Sequence, residues 1–377
     1  AIAVPLAWLA DRFEFPAKRL LLALLLVPMV LPPFVGAIGM KQMLGQYGAI
    51  NALLIHLGLL APDRAIDWLG GTPSGRFWGV VVMNALHLYP ILFLNVAAAL
   101  ANIDPAMEEA AENLGSTGWR KFRRITLPLM MPGLFAGGTL VFIWAFTELG
   151  VPLMFDYSRV TPVQIFRGLK ELSGNPFPYA LVVVTLFSAA FFYALGKWGF
   201  GRKAFAMLPK STRAAFARRP GWVGQLLCTG AFGAVIALAL LPHAGVILVS
   251  FAGEWYRSVL PTQWTLAHYE AALGHGLTVP AILNSVKYAS LATGVDLLLG
   301  IGIAYVVVRT RLPGRTLLDT LSMLPLAVPG LVLAFGYLAM TQEGRFFSFL
   351  NPARDPLPIL VIAYAVRRLP YVVRSAV

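Results

Sequence analysis

Apolar runs alternate with short polar stretches along almost the whole chain. The runs lie near 1–10, 20–40, 77–100, 129–150, 179–199, 223–250, 282–308, 317–340 and 357–377. An apolar run of about 20 residues has the length of a helix crossing the hydrocarbon layer. The pattern therefore predicts an all-α membrane protein, a polytopic helical bundle. The first run is about half a span. The chain opens on Ala1, and it closes on Val377 while still inside an apolar run. It reads as a piece of a longer chain, truncated at both ends.

Composition supports this reading. The chain is 58% hydrophobic and 12% charged, with mean hydropathy +0.73. Soluble domains carry about 25% charged residues. The net charge of +13 would suit a nucleic-acid partner, but its placement argues for a membrane. If the loop 101–128 is cytoplasmic, alternation puts 17 Lys and Arg on that side and 9 on the other, with 4 inside spans. That asymmetry follows the positive-inside rule. No nucleic acid is expected as a partner. The lone Cys228 sits in an apolar run and forms no internal disulfide.

The most polar stretch between two spans is 104–132. Glu108, Glu109 and Glu112 stand at its start, and Arg120, Lys121, Arg123 and Arg124 near its end. Pro105 suits a first helical turn, where acids also favour the helix dipole. Gly115 and Gly118 end that helix, and a second one is expected over Trp119–Leu127, stopping before Pro128.

An internal repeat is visible. A shift of 297 places Ala7, Arg12, Pro16, Leu20, Leu21, Leu24, Pro28 and Pro32 on Ala304, Arg309, Pro313, Leu317, Leu318, Leu321, Pro325 and Pro329. A shift of 280 then places Ala85 and Pro90 on Ala365 and Pro370. An even number of spans separates the copies, so two tandem parallel repeats are expected.

The stretch Glu109-Ala110-Ala111, Gly115, Ile125 and Leu127-Pro128 resembles the "EAA" loop of permease subunits of binding-protein-dependent ABC importers. Within that family the chain is similar to the fused two-half ferric-iron permease type. The resemblance implies a cytoplasmic loop that docks on an ATP-binding subunit, with two such subunits in the assembly. It assigns docking to Glu109, Ala110, Ala111, Gly115, Ile125, Leu127 and Pro128. It also implies a periplasmic substrate-binding protein, a bacterial inner-membrane location, and alternating access driven by ATP closure on the partner. The expected domains are a first permease half over 1–199, a basic cytoplasmic linker over 200–222 touching lipid headgroups, and a second half over 223–377. A second docking loop is expected about a dozen residues beyond Val377, by analogy with the spacing from Ala97 to Glu109.

Candidate pathway or gate residues are Pro28, Pro32, Pro325 and Pro329, which interrupt helix bonding within spans. Freed carbonyls there need protein or a water-filled path. Glu148, in an acid-Gly-x-Pro segment similar to the ferric permeases, lies at the path or the outer interface. Arg367 and Arg368 fall halfway along the last run, to line the path or pair with an acid, whereas Arg374 belongs at the inner surface. Asp296 and Asp319 lie in or near spans. Trp255, Tyr256 and Trp264 suit an interfacial aromatic belt or a contact for the binding protein.

Catalytic motifs are absent. There is no phosphate loop, so ATP hydrolysis would belong to a separate subunit. The five histidines show no metal-ligand spacing. No catalytic residue, metal or cofactor is expected. Ferric iron is the expected cargo on resemblance alone; thiamine, polyamine or phosphonate importers share the architecture. An ion-coupled secondary transporter is the rival class.

Overall fold

The computed structural model describes residues 1–69, 71–168, 176–200 and 218–377. The described chain is almost entirely helical, apart from a short antiparallel ribbon of Ala252–Glu254 with Gln263–Trp264. Five helices are long and apolar enough to cross a membrane: Pro73–Ala101, Gly118–Phe146, Trp222–Phe251, Thr278–Arg309 and Pro356–Ala376. The protein is a polytopic helical membrane protein. Most of the basic linker, 201–217, lies outside the described residues.

Contacts group the helices into two compact units. The first comprises 1–163 and 192–266. It contains α1 (Ala3–Arg12), α2 (Lys18–Leu24), α3 (Pro33–Leu44), α4 (Ala49–His56), α5 (Pro73–Ala101), α6 (Pro105–Asn113), α7 (Gly118–Lys121), α8 (Leu127–Phe146) and α9 (Gly150–Met154). Two further helices, α10 (Thr161–Gly168) and α11 (Phe177–Phe200), run across the division between the units. The next helix, α12 (Trp222–Phe251), belongs to the first unit. The second unit comprises 164–191 and 267–377, with α13 (Ala267–Gly274), α14 (Thr278–Arg309), α15 (Arg315–Ala327), α16 (Gly330–Met340) and α17 (Pro356–Ala376).

Small residues let the helices of the first unit approach closely. A Cβ on Gly137 of α8 would meet the Asn95 Cβ of α5 at 2.8 Å. A Cβ on Gly39 of α3 would come within 2.8 Å of the Val246 nitrogen in α12, and Gly245 faces the Gly39 backbone in return. Such contacts supply the van der Waals packing that joins helices in lipid.

The runs at 20–40 and 317–340 are not straight spans. The helices flanking the first break, Lys18–Met29 and Pro33–His56, meet at 100°, and those flanking the second, Arg315–Leu326 and Gly330–Met340, meet at 101°. Proline explains both. Pro32 precedes Pro33, which pushes it out of the helical region to ψ 138°; Val328 before Pro329 is extended at ψ 128°. The two breaks fall on positions that the repeat equates.

The first break also frees carbonyls, and α5 binds them. In a continuous helix the Pro28 carbonyl would accept from residue 32, a proline with no N–H. His87 Nδ1 lies 2.9 Å from that oxygen and donates to it as the Nδ1–H tautomer. The Leu25 carbonyl loses Met29, whose N–H turns to Leu26 in a 3₁₀ turn. The buried Tyr89 hydroxyl donates to Leu25 at 3.0 Å instead. Tyr89→Phe removes only that donor. It should destabilise the protein by about 1–3 kcal/mol, the cost of an orphaned buried acceptor, read by reversible unfolding in mixed micelles. No measurable change would mean that the Leu25 carbonyl finds another donor.

Candidate functional site

The polar stretch folds into a helix with two unlike faces. Asp104 caps α6 by accepting from the Ala106 N–H at 3.0 Å, and Pro105 fills the first turn. The helix ends in a Schellman motif: Ser116 N–H donates to the Ala111 carbonyl at 2.8 Å and Gly115 N–H to Glu112 at 2.9 Å. Gly115 has φ +78°, a left-handed conformation that a β-carbon disfavours.

The inner face is a buried polar clamp. Glu108 and Ala111 are buried. The Glu108 carboxylate accepts from the Arg12 guanidinium at the end of α1, and from the Thr126 hydroxyl at 3.0 Å. Thr126 is fully buried. One carboxylate therefore joins α1, the loop helix α6 and the turn that leads into α8. Nearby, Lys121 Nζ lies 2.6 Å from a Glu112 oxygen. That hydrogen bond and the Lys121 charge hold the Glu112 carboxyl below its ordinary range. A carboxyl held low contributes at neutral pH and loses its contribution as pH falls through the depressed value. The pair is partly exposed, so its worth to stability is small.

The outer face is exposed. Met107, Ala110 and Leu114 share it by helical spacing, Leu114 at 87% exposure, and Trp119 follows at 73%. Glu109 is also exposed and has no ion pair among the described residues. A cleft of about 980 Å³ opens beside the clamp, lined in part by Trp8, Arg12, Glu108, Glu112, Trp119 and Lys121.

Of the residues the resemblance assigns to docking, Glu109, Ala110 and Gly115 lie exposed on this outer surface. Ala111 is buried beneath α6. Ile125 and Leu127 are half-buried and pack against the hydrophobic core, with Pro128 half-buried beside them. The expected helix stop at Pro128 is absent. Helix continues from Gly118 to Phe146 through a π-helical turn over Phe122–Thr126, in which the Leu127 N–H reaches the Phe122 carbonyl. The wider turn shifts the bonding register just before the proline, where its ring and missing N–H cost least.

The other candidates separate. Pro28 is buried and Pro32 exposed, and both line a small void with His87 and His243. Sequence spacing gave no sign that these histidines meet. Among the described residues no group of three or more His, Cys, Asp or Glu is placed to hold a metal. Glu148 accepts from the N–H groups of Gly150 and Val151 at 2.9 and 3.3 Å, so its carboxylate closes the turn into α9. In the second unit Pro329 caps α16 and is buried, Pro325 is half-buried inside α15, and Arg367 is exposed beside Gly330. Arg374 pairs with Asp319 at 3.6 Å. Between α12 and α13 the Arg257 guanidinium joins a cation–aromatic cluster, 4.7 Å from the Tyr47 ring and 5.3 Å from Tyr256.

Glu108→Gln keeps the shape of the clamp and removes its charge. The loop helix should loosen, raising amide exchange of residues 105–115 at least about tenfold while exchange in α5 stays unchanged. Equal exchange in both proteins would show that the Arg12 pairing does not hold the helix.

Residues 3–200 match the family described as "Binding-protein-dependent transport system inner membrane component". The chain is 28% identical over 363 residues to the ferric transport system permease protein FbpB of Actinobacillus pleuropneumoniae, covering 93% of this chain and 50% of that protein. It is 29% identical over 197 residues to the molybdenum transport system permease protein ModB of Escherichia coli K12, covering 51% of this chain and 81% of ModB. The sulfate transport system permease protein CysT of the same strain is 28% identical over 190 residues, covering 49% of this chain and 63% of CysT. The chain spans about half the length of the ferric permeases that it matches over most of its own. With more than half of its residues matched by the family, this chain belongs to the inner-membrane permease components of binding-protein-dependent ABC transport systems.

Proposed function

We propose that this chain is the transmembrane subunit of an ATP-driven importer in a bacterial inner membrane, coupled to its ATPase through α6. The observation that carries this reading is the two-faced loop helix. Its inner face is clamped by Arg12 and Thr126 through Glu108. Its outer face leaves Glu109, Ala110 and Leu114 open. A helix fixed to α1 and to the Gly118–Phe146 span on one side, with a partner on the other, passes a push from that partner into the membrane. Ala110 permits close approach, and Glu109 offers a carboxylate to a basic group. Two ATP-binding subunits would bias the inward- and outward-facing states, and a periplasmic binding protein would deliver cargo.

The proposed cargo is ferric iron. Its support is the length of the match: 93% of the chain aligns with FbpB, against 51% with ModB. The domain reading stays as two tandem permease halves, 1–199 and 223–377, joined by the basic segment 200–222. The matched bends of 100° and 101° support the repeat. An ion-coupled secondary transporter would leave the exposed face of α6 without a purpose.

Replacing Glu109 and Gly115 together, by Lys and Ala, should reduce co-purification of the ATPase at least about tenfold, with helix content unchanged by circular dichroism. Unchanged co-purification would refute the docking role. In nanodiscs, the intact protein with its ATPase should hydrolyse ATP faster when the iron-loaded binding protein is added. Stimulation only by a binding protein carrying another cargo would discard iron.

A further inference from the structure

The small void at the first break gathers three side chains with soft or borderline donor atoms. It has room for a single water-sized atom, about 10 Å³, and lies within the first unit. Met83 and His87 line it from α5, and His243 lines it from α12. Met83 and His87 stand four residues apart, on one face of their helix. Met83 is buried, and its Sδ would lie 4.0 Å from a Cβ on Gly36, which also lines the void. The remaining lining residues are apolar.

Both histidines are prepared to bind. The Nδ1–H of His87 donates to the Pro28 carbonyl at 2.9 Å, which leaves Nε2 with its lone pair. A ring N–H donated to a backbone carbonyl is the usual support behind a metal-binding histidine, because it fixes the tautomer and the ring orientation. His243 is 9% exposed, and neither of its ring nitrogens has a hydrogen-bond partner among the described residues. The Ala239 carbonyl, one turn back, interacts with the ring without meeting hydrogen-bond geometry. A buried imidazole left so is costly, and a ligand in the void would relieve it.

The geometry points to a site for one soft monovalent metal ion of the Cu(I) class, bound by His87 Nε2, a ring nitrogen of His243 and Met83 Sδ. Thioether and imidazole donors select such an ion, whereas calcium, magnesium and other hard cations need oxygen. No oxygen-bearing side chain lines the void. A single charge is also the least costly to hold inside a span. Ferric iron is hard and highly charged and does not suit these donors, so the site is independent of the proposed cargo. A bound ion would fasten α5 to α12 beside the bend.

The test uses Ag(I), a soft monovalent ion without redox chemistry of its own in this setting. It is added to the intact protein carrying Cys228→Ala, so that the lone thiol of this chain does not compete. Equilibrium dialysis should show binding that excess Mg(II) does not displace, and X-ray absorption should show both nitrogen and sulfur ligands. Met83→Leu keeps the side-chain volume and removes the sulfur; His243→Phe removes the nitrogens. Each should weaken binding at least about tenfold, with helix content unchanged by circular dichroism. If His243→Phe does not fold, Met83→Leu and the ligand set of the unaltered chain still decide. Absence of binding overturns the proposal and leaves the void to a water molecule. A ligand set lacking nitrogen or lacking sulfur overturns it too. Equal affinity in either folded variant does the same, and equal affinity in both would mean an adventitious ion only.

Discussion

Backbone groups inside a bilayer must find partners within the protein, and the two proline breaks are where this chain meets that demand most sharply. Each break turns the chain by about a right angle, which a continuous helix cannot do. At the first, Pro32 has no N–H for the Pro28 carbonyl, and the Met29 N–H turns from Leu25 to Leu26. Side chains of α5, His87 and Tyr89, supply donors to Pro28 and Leu25. The bend is thus held by two hydrogen bonds from a neighbouring helix, and α5 is fixed against it in return. At the second break the equivalent position carries Arg367, with Gly330 bare beneath it. Positions 87 and 367, which a shift of 280 equates, thus carry different chemistry.

The loop helix obeys a related constraint near the membrane surface. Glu108 is buried and would be costly alone. Arg12 and Thr126 make it tolerable, and in doing so they tie α6 to α1 and α8. Breaking one partner of such a set costs more than the set contributes. The clamp therefore keeps the loop helix in one position on its spans. Leu114 and Trp119, largely exposed, then form an apolar surface whose orientation is set from behind.

Some of this was legible in the chain and some was not. Asp104-Pro105 and Gly115 mark the two ends of α6 through local capping chemistry, which depends on neighbours in sequence. The breaks were legible because proline acts on its own backbone. The angle of the bends was not, since it depends on helices far away in sequence. Nor were the donors: His87 and Tyr89 are about 60 positions from the carbonyls they serve, and nothing local announces that pairing. Three acids stand close together at 108, 109 and 112, and only packing decides that Glu108 turns inward while Glu109 faces out. Leu127-Pro128 read as a stop because the rule for proline assumes α-helical register; the π turn changed the register first. Arg12 gave one clue, since the repeat equates it with Arg309, but its partner could not be read.

The central claim is that α6 presents one face to a partner while the other is locked into the membrane domain. Cross-linking by a photoreactive group attached to single cysteines, on a Cys228→Ala background of the intact protein assembled with its ATPase, tests it most directly. Cysteines at Met107, Ala110 and Leu114 should cross-link to the ATP-binding subunit, whereas cysteines at Ala111, Ile125 and Leu127 should not. Cross-links from the second group with none from the first would invert the face assigned here, and none from either would mean that this helix is not where the partner binds.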